Sequence, residues 1–184
     1  MGALSATRPG AADTGRRTPA ADTGRGHRPR TLRGMRVAIG SDHAGFQLKG
    51  DLCSLLDELR IEYRDFGTFD TQPVDYPDLI APVARAVAKG DFERGIVLGG
   101  SGTGEAIVAN KVRGIRCVEA ADPVTARLGR EHNDANVLSM GARIVGTEVA
   151  RACVRAFLEA EFNGGRHVPR VEKIARIEAE EARG

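Results

Sequence analysis

The stretch Gly99-Gly100-Ser101-Gly102-Thr103-Gly104-Glu105 joins a run of glycines to a carboxylate. Glycines let the backbone approach a ligand closely, and N–H groups entering a following helix make an anion site. The spacing is G-x-G-x-G, so neither the dinucleotide fingerprint nor the Gly-Lys-Ser/Thr ending of a P-loop is matched. Glu105 has two readings. It is a surface carboxylate favoured by the helix dipole, or, in a cleft behind the loop, a base for proton transfer.

Ser41-Asp42-His43-Ala44-Gly45 sets a carboxylate beside an imidazole. The pair could hold a substrate hydroxyl and a phosphate, or Asp42 or Ser41 could simply cap the next helix. Arg130-Glu131-His132-Asn133-Asp134 brings a histidine near a helix end, either as a structural side chain or as part of a site. In Gly165-Arg166-His167-Val168-Pro169-Arg170 two arginines stand four apart. That spacing suits bidentate phosphate binding and equally suits a solvated basic face. No His/Cys/Asp set has metal-ligand spacing, and no serine nucleophile elbow is present.

These clusters must be positioned by regular elements. Met35–Gly40 is a short apolar run, hence a strand, and leucines 48, 52, 55, 56 and 59 give an amphipathic helix over about 45–60. Strand two is expected at Ile61–Phe66, a loop at 68–77 and a helix over about 78–89. Gly95–Leu98 is a buried third strand, followed by the glycine loop and a helix to about Lys111. Ile115–Ala120 and Val137–Met140 read as strands four and five around a helix at Pro123–Glu131. Helices at Thr147–Glu161 and about His167–Ala182 complete the chain. The alternation predicts an α/β fold with a parallel sheet covered on both faces, whose ligands sit beyond the carboxyl ends of the strands. The 41 and 99 clusters follow strands directly. His132 and Asn133, shortly before strand five, are expected near the same convergence.

Composition narrows the function classes. Hydrophobic residues are 41% and charged residues 28%, ordinary for a globular protein, while aromatics are 4% with no Trp, which argues against a base-stacking nucleic-acid surface. Residues 1–34 hold seven arginines against Asp13 and Asp22, a net of +5, so the remaining residues carry −3 of the chain's +2. The basic pI therefore belongs to the extension. That extension repeats AADTGR at 11–16 and 20–25, has almost no large apolar side chains, and is expected to be disordered. Its two aspartates argue against a targeting peptide, and the domain is expected to span 35–184, with Met35 as a possible start. Cys53, Cys117 and Cys153 are expected to be buried free thiols in a reducing cytoplasm. No apolar run has the length of a membrane span.

Six stretches together resemble the ribose-5-phosphate isomerase B family, which includes galactose-6-phosphate isomerase subunits. They are VAIGSDHAGFQLK at 37–49, DYPD at 75–78, GIVLGGSGTGEAIVANK at 95–111, GIRC at 114–117, REHNDANVLSMGARIVG at 130–146 and NGGRHVPRVEKI at 163–174. The resemblance implies a Rossmann-like three-layer α/β/α sandwich on a five-stranded parallel sheet. It implies a homodimer or homotetramer with active sites shared between subunits, acting on a small sugar phosphate without metal or organic cofactor. The implied reaction interconverts ribose 5-phosphate and ribulose 5-phosphate through a cis-enediolate. His132, assisted by Asp42, would open the ring. Ser101 and the backbone of Gly100, Gly102, Thr103 and Gly104 would stabilise the enediolate, and Asn133 would position hydroxyls. His43, Arg143, Arg166 and Arg170 would hold the phosphate, with His167 close by. Many members carry a cysteine base where this chain has Gly99. A subgroup carries Glu at the helix start instead, which assigns the base to Glu105. Isomerases of galactose 6-phosphate or a tetrose phosphate, and a non-catalytic phosphosugar-binding module, are the rival readings.

Overall fold

The computed structural model describes Leu32 and residues 34–183; the rest of the extension expected to be disordered lies outside them. Five strands, β1 (Arg36–Ser41), β2 (Glu62–Asp65), β3 (Arg94–Gly99), β4 (Cys117–Glu119) and β5 (Val137–Gly141), form one sheet in the order β2-β1-β3-β5-β4. All four pairings are parallel. The helices α1 (Phe46–Glu58), α2 (Tyr76–Ala88), α3 (Thr103–Asn110), α4 (Pro123–Asn133), α5 (Thr147–Glu159) and α6 (Val168–Glu181) connect and follow them.

Period-two alternation along the strands sorts side chains to two cores. Val37, Ile39, Leu98 and Met140 face Leu52 and Leu56 of α1, Ala126 of α4 and Phe157 of α5. Ala38, Val97 and Val137 face Ile80 and Val83 of α2 and Ala109 of α3. The three-layer sandwich expected from the sequence is therefore formed. Cys153 is buried as expected, whereas Cys53 and Cys117 are only half-buried; all three are free thiols.

Several boundaries move for identifiable reasons. α2 begins at Tyr76, inside the expected loop, because Pro77 fits the first helical turn, where no N–H partner is needed. β4 is shorter than Ile115–Ala120. The Asn136 amide accepts from Arg116 N–H at 2.8 Å and donates to Gly114 O at 2.8 Å, replacing ladder bonds there. α4 runs on to Asn133 and stops where Asp134 turns left-handed, φ 49°. The last helix is preceded by a 3-10 turn, Gly165–His167. The outer edge of β4 is masked by another amide: Asn110 accepts from Cys117 N–H at 2.7 Å and donates to Cys117 O at 3.0 Å.

Candidate active site

Chain order reverses between β1 and β3, and the crevice beyond their carboxyl ends is where such sheets bind ligands. Asp42 leaves β1 there, its N–H bonded to Leu98 O at 3.2 Å. Its Oδ1 accepts from the N–H groups of Ala44 and Gly45 at 2.9 and 3.0 Å, so the capping reading holds for that oxygen. Oδ2 accepts nothing among the described residues and remains open to a ligand. His43 follows, its Nδ1 accepting from Val74 N–H at 3.3 Å.

The glycine loop leaves β3 beside them. Its carbonyls are occupied from behind: Ala142 N–H donates to Gly99 O at 2.8 Å, Arg143 N–H to Gly100 O at 3.0 Å, and Ser139 Oγ to Gly102 O at 2.6 Å. The N–H groups of Gly100 and Ser101 meet no acceptor among the described residues, which leaves a cradle for a negative oxygen. Gly102, φ +87°, makes the turn possible, since a Cβ there would sit 2.8 Å from the Met140 carbonyl carbon. Ser101 Oγ accepts from Thr103 N–H at 3.3 Å, Tyr76 packs against Gly104, and the Arg143 guanidinium lies over Gly100.

Glu105 is 3% exposed, so it is not the surface carboxylate of the bland reading. Burial raises its carboxyl above the usual range and the charges of Asp42 and Glu119 add to the rise, while the N–H groups of Glu105 and Gly102 oppose it. The carboxyl turns back onto β3. A Cβ built on Gly99 would overlap Glu105 Cδ and Oε1 and lie 2.7 Å from Oε2. Glu105 thus fills the space that a side chain at position 99 would occupy.

The second set of expected residues lies elsewhere. In a parallel sheet the segment before a strand sits at the amino ends, and Asn136 bonds there to Gly95 N–H and Arg116 O. His132 and Asn133 are therefore at the opposite end of the sheet from Asp42 and Glu105. Strands of five or six residues put roughly 15–20 Å between the ends. The expectation that His132 and Asn133 lie near the convergence of the other loops is corrected; the site shared between subunits, implied by the resemblance, is a separate reading. At this end the His132 and His167 rings stack with centroids 4.4 Å apart, 6° from parallel. Burial and the neighbouring charges of His132, Arg166 and Arg170 hold the His167 imidazole below its usual range. Among the described residues neither Arg166 nor Arg170 has an acidic partner, which leaves a cationic cluster.

Two further groups were not singled out by sequence. Lys49 and Asp65 form an ion pair behind the 66–75 loop. Arg130 and Arg116 both grip Asp134, at 2.7 and 2.6 Å, and fix the turn that follows His132. No cluster of three or more His, Cys, Asp or Glu able to hold a metal occurs among the described residues. No described helix is long and apolar enough to cross a membrane.

The ribose/galactose isomerase family profile matches residues 37–174. A putative sugar phosphate isomerase of Bacillus subtilis is 48% identical over 78% of this chain and 97% of its own length. Ribose-5-phosphate isomerase B of Escherichia coli is 46% identical over 78% of this chain and 96% of its own. The solved structure of ribose-5-phosphate isomerase B from Clostridium thermocellum superposes with a TM-score of 0.79 at 48% identity, covering 80% of this chain and 99% of that one. With the match spanning the sheet, the glycine loop and the cationic cluster, the chain belongs to the ribose/galactose isomerase family.

Proposed function

We propose that the protein interconverts D-ribose 5-phosphate and D-ribulose 5-phosphate, with Glu105 as the base. The observation that carries this reading is the buried Glu105 carboxylate, its pKa raised, behind a loop with unoccupied N–H groups. In the open aldose, Glu105 takes the C2 proton and the electron pair moves into a cis-enediolate. The N–H groups of Gly100 and Ser101, with the Ser101 hydroxyl, hold its oxygens, each donor contributing roughly 3–4 kcal/mol to the transition state. Returning the proton to C1, with the hydroxyl proton shifting from O2 to O1, leaves the ketose. No electron leaves the sugar, so no redox partner is consumed.

The remaining roles need a second copy of the chain. Asp42, His43, Arg143 and the loop stand at one end of the sheet, while His132, Asn133, Arg166, His167 and Arg170 stand at the other. A site combining them joins the carboxyl end of one chain to the amino end of its partner. There His132 and Asp42 would open the furanose ring, Asn133 would position hydroxyls, and His43 and the arginines would bind the phosphate.

Complementation tests this reading. Glu105→Gln and His132→Ala chains, each nearly inactive alone, are unfolded together, refolded and assayed for ketose formation from ribose 5-phosphate. Random pairing into dimers gives half mixed dimers with one intact site of two, hence about a quarter of wild-type activity. Verified mixed dimers as inactive as the parents would refute the shared site. A panel of tetrose and hexose phosphates in the same assay ranks the substrates.

A further inference from the structure

Lys49 is a lysine with no route to solvent: it lies on α1, its side chain 2% exposed. Lysines on surface helices extend their ammonium to water, so a buried one needs a full set of acceptors. Lys49 Nζ has that set. It donates to Asp65 Oδ1 and Oδ2, each at 2.7 Å, and to Thr68 O at 2.5 Å. The rings of Phe46 and Phe69 lie over it at 5.7 and 5.1 Å. Phe69 is otherwise 72% exposed, an unusual setting for a large aromatic that its place over the ammonium explains.

The pair pins one end of the 66–75 loop. Asp65 Oδ1 also accepts from Gly67 N–H at 2.8 Å. Gly67 O accepts from Ser41 N–H at 2.6 Å, and Thr68 N–H donates to Ser41 O at 2.7 Å. The loop is thereby fastened to the last residue of β1. Its far end carries Val74, whose N–H reaches His43 Nδ1. With Nδ1 occupied as an acceptor, neutral His43 carries its proton on Nε2, the donor that a phosphate oxygen requires. The Asp42 carboxylate, by contrast, is held by Ala44 and Gly45 within its own turn.

We infer that the ion pair of buried Lys49 with half-buried Asp65 is a positioning device for the phosphate end of the site, clamping the 66–75 loop so that Val74 orients His43. The inference rests on the reading of His43 as a phosphate contact. Buried ion pairs often add little net stability compared with apolar replacements, which fits a role in fixing geometry.

The test replaces both charges by apolar groups, Lys49→Met with Asp65→Leu, leaving no unpaired buried ion. Ribose 5-phosphate kinetics are then measured with and without His43→Ala. KM should rise about tenfold while kcat stays within about threefold of wild type, because the displaced group binds and does not react. In the His43→Ala background the charge replacement should raise KM no further, since both act through one contact. A folded double variant with wild-type KM overturns the clamp, as do KM effects that multiply in the combined variant. An unchanged KM in His43→Ala alone overturns the phosphate reading of His43 and the clamp with it, and identifies His43 as the point of failure. If the double variant does not fold, Phe69→Ala, at an exposed position, carries the same test. Its smaller KM rise should also vanish in the His43→Ala background, and a persisting rise, or none, overturns the clamp.

Discussion

Replacing Gly99 by alanine adds one methyl group to β3, at a position whose backbone accepts any residue, since its φ is not positive. The methyl would lie within 3.0 Å of three carboxyl atoms of Glu105, closer than real Cβ atoms come to anything. The carboxyl must therefore retreat by about 1 Å or more, and a misplacement of that size costs roughly 10²-fold in rate, approaching the 10²–10⁴ of a lost general base. We expect kcat to fall 10²- to 10³-fold with KM within about threefold, because the phosphate contacts lie elsewhere. Overpacking should cost about 1–3 kcal/mol, or a few degrees to about 10 °C in Tm. Gly95→Ala separates the two effects. Its methyl meets only Val137 and Val87, at 3.0 and 3.2 Å, in the same strand but at the other end. It should lose comparable stability and keep its kcat. The assay is steady-state ketose formation alongside thermal melts of both variants. Folded Gly99→Ala with kcat within threefold of wild type would refute the assignment of Glu105.

Glu105→Gln should lower turnover by about 10²–10⁴ yet raise Tm by a few degrees at neutral pH. The folded-state pKa lies above the unfolded value, so wild-type stability falls as pH rises through the folded pKa; glutamine removes that loss, and the Tm difference should close below pH 4.5. Paired melts across pH check this, and a Gln variant less stable at every pH would refute it. Alkylation with iodoacetamide should leave nearly all activity. Burial raises all three thiols, Cys153 to about 11, which leaves little thiolate to react, and none lies at the proposed base. Loss of activity in proportion to modification would implicate a thiol.

The fold was legible because apolar periods of two and 3.6 alternate cleanly from Met35 onward, and because residues after a parallel strand always reach one end of the sheet. That rule located Asp42, His43 and the glycine loop. The same rule, applied to His132, places it at the other end, since it precedes β5; nearness in sequence to a strand does not tell which end is reached until direction is considered. Lys49 looked like any helix lysine, because its burial depends on Asp65, 16 residues away at the end of β2. The overlap of Glu105 with the side-chain space of Gly99 depends on a left-handed turn at Gly102 that folds α3 back over β3, which no linear spacing encodes.

That overlap couples two positions six residues apart. A side chain at 99 and the present carboxyl placement at 105 compete for one space, so substitutions at the two should be non-additive, each setting the cost of the other.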